Sequence, residues 1–260
     1  MITLQLCAGP EIMLNDPADV CIDGVDMSFT ATPVGGTFTT TAPAGFTSNG
    51  AAGTAMLDVS AAGVGTYDVV YSFTDAGGCE GSRTVSVTIF PEPAVTLNDP
   101  ADVCIDGADM SFTATPAGGV FTTTAPAGFT ANNAAGTATL DVSAAGAGTY
   151  DVTYTFTDAN GCDASQTVSV TVFPLPVLDC PMDRTFCLTT APFPLDLATP
   201  SGGTYSGPGV AAGIFSPLVA GPGTHTITYT YTDGNGCENS CVFNITILKV
   251  DCGSFPWDGN

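Results

Sequence analysis

Apolar and polar side chains alternate in short runs along the chain, and each run stops at glycine, proline or an aspartate-containing turn. Met27-Ser28-Phe29-Thr30-Ala31-Thr32 alternates up to Pro33, and Thr37-Phe38-Thr39 follows a glycine pair. Ala55 to Val59 is a further run. Tyr67 to Thr74 places Tyr67, Val69, Tyr71 and Phe73 on one side, and Thr84 to Ile89 does the same with Val85, Val87 and Ile89. A period of two predicts antiparallel strands with one face buried and a Thr, Ser or Asp face in water. Asp75-Ala76-Gly77-Gly78 between the last two runs predicts a hairpin loop. No stretch shows a helical period with caps at both ends. About seven short strands in some 80 residues is the pattern of an immunoglobulin-like sandwich. Tyr67 and Tyr150, each opening a strand after Gly-Thr, predict tyrosine corners, with His225 in the matching place later in the chain.

The pattern repeats. Leu14 to Pro93 recurs at Leu97 to Pro176 with a constant offset of 83 and no gap, about four-fifths of the positions being identical. A third, divergent unit runs from Val177 to Val250, its clearest match being TDGNGCENS at Thr232 to Ser240 against TDANGCDAS at Thr157 to Ser165. The expected organisation is therefore three tandem immunoglobulin-like antiparallel β-sandwiches in an elongated, all-β rod. Its divisions are residues 13–92, 93–176 and 177–250, with a leading strand segment at 1–12 and a tail at 251–260. Phe90-Pro91-Glu92-Pro93 and Phe173-Pro174-Leu175-Pro176 read as short, stiff joints.

The cysteines follow the repeat. Cys21 and Cys79 are 58 apart, Cys104 and Cys162 are 58 apart, and Cys187 and Cys237 are 50 apart, as the shorter third unit requires. Equal spacing suggests one disulfide within each unit: Cys21–Cys79, Cys104–Cys162 and Cys187–Cys237. Cys180 and Cys241, in the first and last strands of the third unit, form a further expected pair. Cys7 and Cys252 remain at opposite ends, as candidates for a disulfide between subunits. Ten cysteines in this arrangement indicate an oxidising compartment, and thus an extracellular or cell-surface location.

Charge narrows the partners. Twenty-five acidic residues face three basic ones, Arg83, Arg184 and Lys249, for a net charge of -22. Phosphates would be repelled, so nucleic acid is excluded as a partner, and no apolar run is long enough for membrane insertion. No cofactor is required, and calcium is the one candidate ligand. Asp16, Asp19, Asp23 and Asp26 gather near the start of the first unit, and Asp99, Asp102, Asp106 and Asp109 repeat them at the first joint. Hard cations take several such oxygens. Catalysis finds no support: the single histidine occupies a structural position, and no nucleophile motif surrounds any serine. Thr39-Thr40-Thr41 and Thr122-Thr123-Thr124 read first as solvent-facing strand residues, with a hydroxyl surface facing ice or glycan as the other reading.

The run GGTYSGPGVAAGIFSPLVAGPGTHTITYTYTDGNGC, Gly202 to Cys237, resembles the immunoglobulin-like or PKD-like tandem repeats of large secreted surface proteins of Bacteroidota. That resemblance implies an adhesin or stalk, with no catalytic residues to carry over. The ends fit a continuing array. Ile2 to Leu6 lies where the last strand of a preceding unit would lie, and Val250-Asp251-Cys252 resembles Leu178-Asp179-Cys180. Met1 to Pro10 lacks the features of a signal peptide. The expected function is thus an extracellular structural protein, a filament or stalk subunit joined head to tail into a homopolymer. The other reading is an adhesin fragment whose loops bind a glycan or a protein ligand.

Overall fold

The computed structural model describes residues 9–249. Within them the alternation becomes strands, and the strands form six sheets around three hydrophobic cores. The first core lies between eight strands: β1 (Met13–Leu14), β2 (Val20–Cys21), β3 (Met27–Thr32), β4 (Thr37–Thr40), β5 (Phe46–Asn49), β6 (Thr54–Leu57), β7 (Gly65–Thr74) and β8 (Glu80–Phe90). One sheet has the order β1-β3-β6-β5 and the other β2-β8-β7-β4. Two facing antiparallel sheets in this order are the expected immunoglobulin-like sandwich. Only β2 runs parallel to its neighbour, with Val20 opposite Ile89 and Cys21 opposite Phe90.

Burial follows the pleat. In β3, Met27, Phe29 and Ala31 are buried while Ser28, Thr30 and Thr32 face water. In β8, Val85, Val87 and Ile89 close the core from the other sheet. The second core repeats this arrangement, with Phe112, Leu140, Val152, Tyr154 and Val170 at its centre. The third is smaller and rests on Phe215, Ile227 and Ile245. Its second sheet has only three short strands, Phe193–Pro194, Ile214–Phe215 and Val210–Ala211.

Two ring side chains per sandwich fix its corners, a tyrosine pair in the first two units. The Tyr67 hydroxyl donates to the Ala62 carbonyl at 2.9 Å, and Tyr150 does the same to Ala145 at 2.8 Å. In the third unit the His225 ring nitrogen lies 2.8 Å from the Gly221 carbonyl oxygen. The sole histidine thus holds a corner. Deeper in, the fully buried Tyr71 donates to the Pro33 carbonyl and accepts from the Gly36 amide at 2.7 Å. A Cβ on Gly36 would overlap the Tyr71 ring, and Gly35 turns at φ +96, which together account for the glycine pair before β4. Tyr154 and Tyr229 hold the equivalent loops to Pro116 and Pro200.

The run from Ala55 to Val59 is not wholly strand. Val59–Ala62 forms one helical turn, α1, because Asp58 caps it, accepting from the Ala61 amide at 2.9 Å and from the Ser60 hydroxyl at 2.7 Å. Asp141 repeats the cap. The amide of Ala61 and the hydroxyl of Ser60 hold the Asp58 carboxyl below its ordinary pKa, and Ser143 and Ala144 do the same for Asp141. A carboxyl depressed on folding contributes stability above its unfolded pKa and loses it as pH falls through the folded value. Melting temperature is therefore expected to fall in acid below about pH 4. The drop from pH 7 to pH 3, measured by circular dichroism, should be smaller in the D58N/D141N variant, which keeps a capping oxygen that does not titrate.

Candidate functional site: stapled joints

The most distinctive chemistry among the described residues, the disulfides, sits where one unit meets the next. Each unit presents a cysteine on the hairpin between its two longest strands. Asp75 Oδ1 accepts from the amides of Gly77 and Cys79 at 2.8 and 2.9 Å, and Gly78 completes the turn with φ +81. Asp158 and Asp233 make the same bonds to the amides of Cys162 and Cys237, both at 2.9 Å. The recurring Thr-Asp-x-x-Gly-Cys motif is thus a device for placing a cysteine at a hairpin end.

A second cysteine is carried at the opposite end of each unit. Cys21 lies beside Phe90, the last residue of β8, and the Ile22 amide donates to the Phe90 carbonyl at 2.9 Å. Asp19 Oδ1 accepts from the Thr88 amide at 2.7 Å, tying this short strand to β8. Asp102 binds the Thr171 amide at 2.6 Å beside Cys104, and Asp183 the Asn244 amide at 2.7 Å beside the strand of Cys187. Those contacts with Asn244 hold the Asp183 carboxyl below its ordinary pKa.

The disulfides cross the joints. Cys21 is bonded to Cys162 and Cys104 to Cys237, with Cα separations of 5.5 and 5.6 Å. The expected pairs within units, Cys21–Cys79, Cys104–Cys162 and Cys187–Cys237, are therefore corrected. Register explains why. Cys79 immediately precedes β8 and Cys21 sits against its far end, so about 11 residues of strand, roughly 37 Å, lie between them. A disulfide spans no more than about 7 Å between Cα atoms. Cys162 and Cys237 are buried at their joints, with relative exposures of 1% and 0%. Cys79 and Cys187, the equivalents at the outer ends, are also disulfide-bonded. Cys7 and Cys252 lie outside the described residues.

Cys180 is bonded to Cys241 within the third unit. In the second unit the same two places hold Leu97 and Gln166, joined by a hydrogen bond of 2.9 Å from the Leu97 amide. The covalent bond stands where the third unit has only the single bridge from Asp179 to Thr199 in place of a first strand.

The acidic residues do not converge. Asp16, Asp19, Asp23, Asp26, Asp99, Asp102, Asp106 and Asp109 are all exposed. Asp19 and Asp102 cap the short cysteine strands, and Asp26 accepts from the Val59 amide at 3.2 Å. Among the described residues no group of three or more His, Cys, Asp or Glu side chains is gathered as a metal ion needs. The threonine runs are partly committed as well. Thr40 donates to the Asp68 carbonyl and Thr41 accepts from the Asp68 amide, and Thr123 and Thr124 do the same at Asp151. None of the described helices is long and apolar enough to cross a membrane.

No family model matches the chain, and no curated protein matches it by sequence. Solved structures it resembles include adhesins and cell-adhesion ectodomains. A Ca2+-stabilised adhesin of an Antarctic bacterium that binds ice is 19% identical with a TM-score of 0.39, over 94% of this chain and 75% of that one. The N-terminal eight immunoglobulin domains of Down syndrome cell adhesion molecule give 13% and 0.47, over 92% of this chain but only 37% of theirs. Drosophila N-cadherin EC1-4 gives 12% and 0.34, over 90% and 74%.

Proposed function

We propose that this chain is a non-enzymatic extracellular stalk, built of three immunoglobulin-like units at 13–92, 93–176 and 177–250 and held straight by disulfides across its joints. The observation that carries this reading is the pair of staples, Cys21–Cys162 and Cys104–Cys237. A tandem protein joined only by its linker is free to bend at each joint. Here each joint has two covalent connections, the Pro-rich linker leaving Phe90 or Phe173 and a disulfide anchored beside that same residue. Two connections side by side remove most of the hinge freedom. Disulfides of this kind persist outside the reducing cytosol, which supports a surface location. In this reading the stalk is part of a longer assembly and presents a partner away from the surface.

Negative-stain electron microscopy of the oxidised protein tests it. Straight three-beaded particles are expected, about 110 Å long from three strands of 11 residues end to end. Compact particles, or beads at random angles, would overturn the stalk. A glycan array with specific hits would favour the adhesin reading instead.

A further inference from the structure

The staples do more than stiffen. Taken with the sheet register, they define a short covalent route from one end of the described chain to the other. From Gly9 the chain runs to Cys21, crosses to Cys162, follows the last long strand of the second unit to Cys180, crosses to Cys241, and leaves along the last strand of the third unit. That route contains about 40 residues of backbone, whereas the chain it bridges has about 240.

The fold already holds this route extended. Gly9 lies against Glu80 at the start of β8, and Cys21 pairs with Phe90 at its end, so residues 9–21 cross the whole first unit, passing through β1 of the facing sheet on the way. In the second unit the route is the strand Asp163–Phe173, and in the third it is the part of Glu238–Leu248 beyond Cys241. A strand rises about 3.3 Å per residue, and no chain exceeds about 3.6 Å per residue. The native rod, about 110 Å long, is thus within a few tens of ångströms of the full length its shortest covalent route permits.

We propose that the disulfides make the chain an inextensible tether: under tension, force passes along these pre-extended segments and bypasses the backbone of residues 22–161. The stapled residues Cys21, Cys162, Cys180 and Cys241 carry the tension. Cys104–Cys237 interlaces with Cys21–Cys162, since Cys104 lies inside the first loop and Cys162 inside the second. It therefore offers a parallel crossing at the next joint, beside Phe173. A unit that unfolds can lengthen the molecule only by the small slack of that route, and it refolds within a nearly fixed span. This deepens the stalk reading and rests on it for its biological sense, but not for its physics.

Single-molecule force spectroscopy on the full chain, held at its two ends, tests the proposal. An unstapled unit of about 80 residues lengthens by about 240 Å on unfolding, from about 37 Å folded. The oxidised protein is expected to show no such step, only a gain of a few tens of ångströms. In C21A/C104A/C162A/C237A the second unit keeps no cysteine, so a step of about 240 Å should appear. Should that variant fail to fold, the oxidised wild type is held at constant force and a phosphine reductant is added. Its extension is then expected to climb by hundreds of ångströms. Steps of about 240 Å in the oxidised wild type would overturn the proposal. Straight rods in the microscope that nonetheless unravel in steps would sink the tether and spare the stalk.

Discussion

Replacing Cys21 and Cys162 together by alanine is expected to release the first joint while leaving the units on either side folded. Alanine is the better substitute because Cys162 is 1% exposed, and a serine hydroxyl there would be buried without a planned partner. Each unit keeps its own core and sheets, none of which uses the staple. What changes is the coupling. A disulfide closing 141 residues restrains the unfolded chain by on the order of 5 kcal/mol in the chain-entropy model. Without it, the first and second units should melt as separate transitions in calorimetry, at lower temperature than in the wild type. In electron micrographs the angle between first and second beads should broaden several-fold while the second joint stays straight. Unchanged angles at the first joint would mean that the Pro-rich linker alone sets the stiffness.

The strands that matter for the core were legible because they alternate. Met27 to Thr32 and Thr84 to Ile89 each bury every second side chain, which period two alone dictates. The tyrosine corners were legible from Gly-Thr-Tyr, and the histidine's structural role from its place in the repeat. Other elements gave no such signal. Phe46–Asn49 has only Phe46 half-buried, so it carries no alternation, and β2 has two residues and is defined by its partner. That second omission hid the joint. The cysteine spacings suggest bonds within units, yet a repeat of 83 makes bonds between consecutive units equally regular. Only the parallel pairing of Cys21 with Phe90 shows that the two cysteines of one unit face opposite ends. The acidic clusters need their contacts, not only their residue types, to be placed. Asp19 and Asp102 resemble cation ligands in a list of residues, but each has a backbone amide to cap.

Truncating Phe112 to alanine is the harshest test of whether stability and length are separable here. Phe112 is fully buried at the centre of the second core, its ring 6.2 Å from that of Phe129. Removing such a ring costs about 3–5 kcal/mol, part lost transfer energy and part cavity. For a unit of this size that lowers the melting temperature by about 15–30 °C. Calorimetry should show the second unit's transition moved down by that amount. The staples predict something further about the same variant. Melting the second unit leaves Cys21–Cys162 and Cys104–Cys237 intact, so the first and third units stay tied across it through the strand after Cys162. The radius of gyration, followed by X-ray scattering through that transition, should therefore rise only slightly in oxidised F112A. With the four joint cysteines also replaced by alanine, it should rise steeply, because the freed second unit then contributes its full unfolded length. Equal expansion in the two proteins would mean that tension and melting reach the second unit's backbone whether or not the joints are stapled, and the bypass route would have to be abandoned.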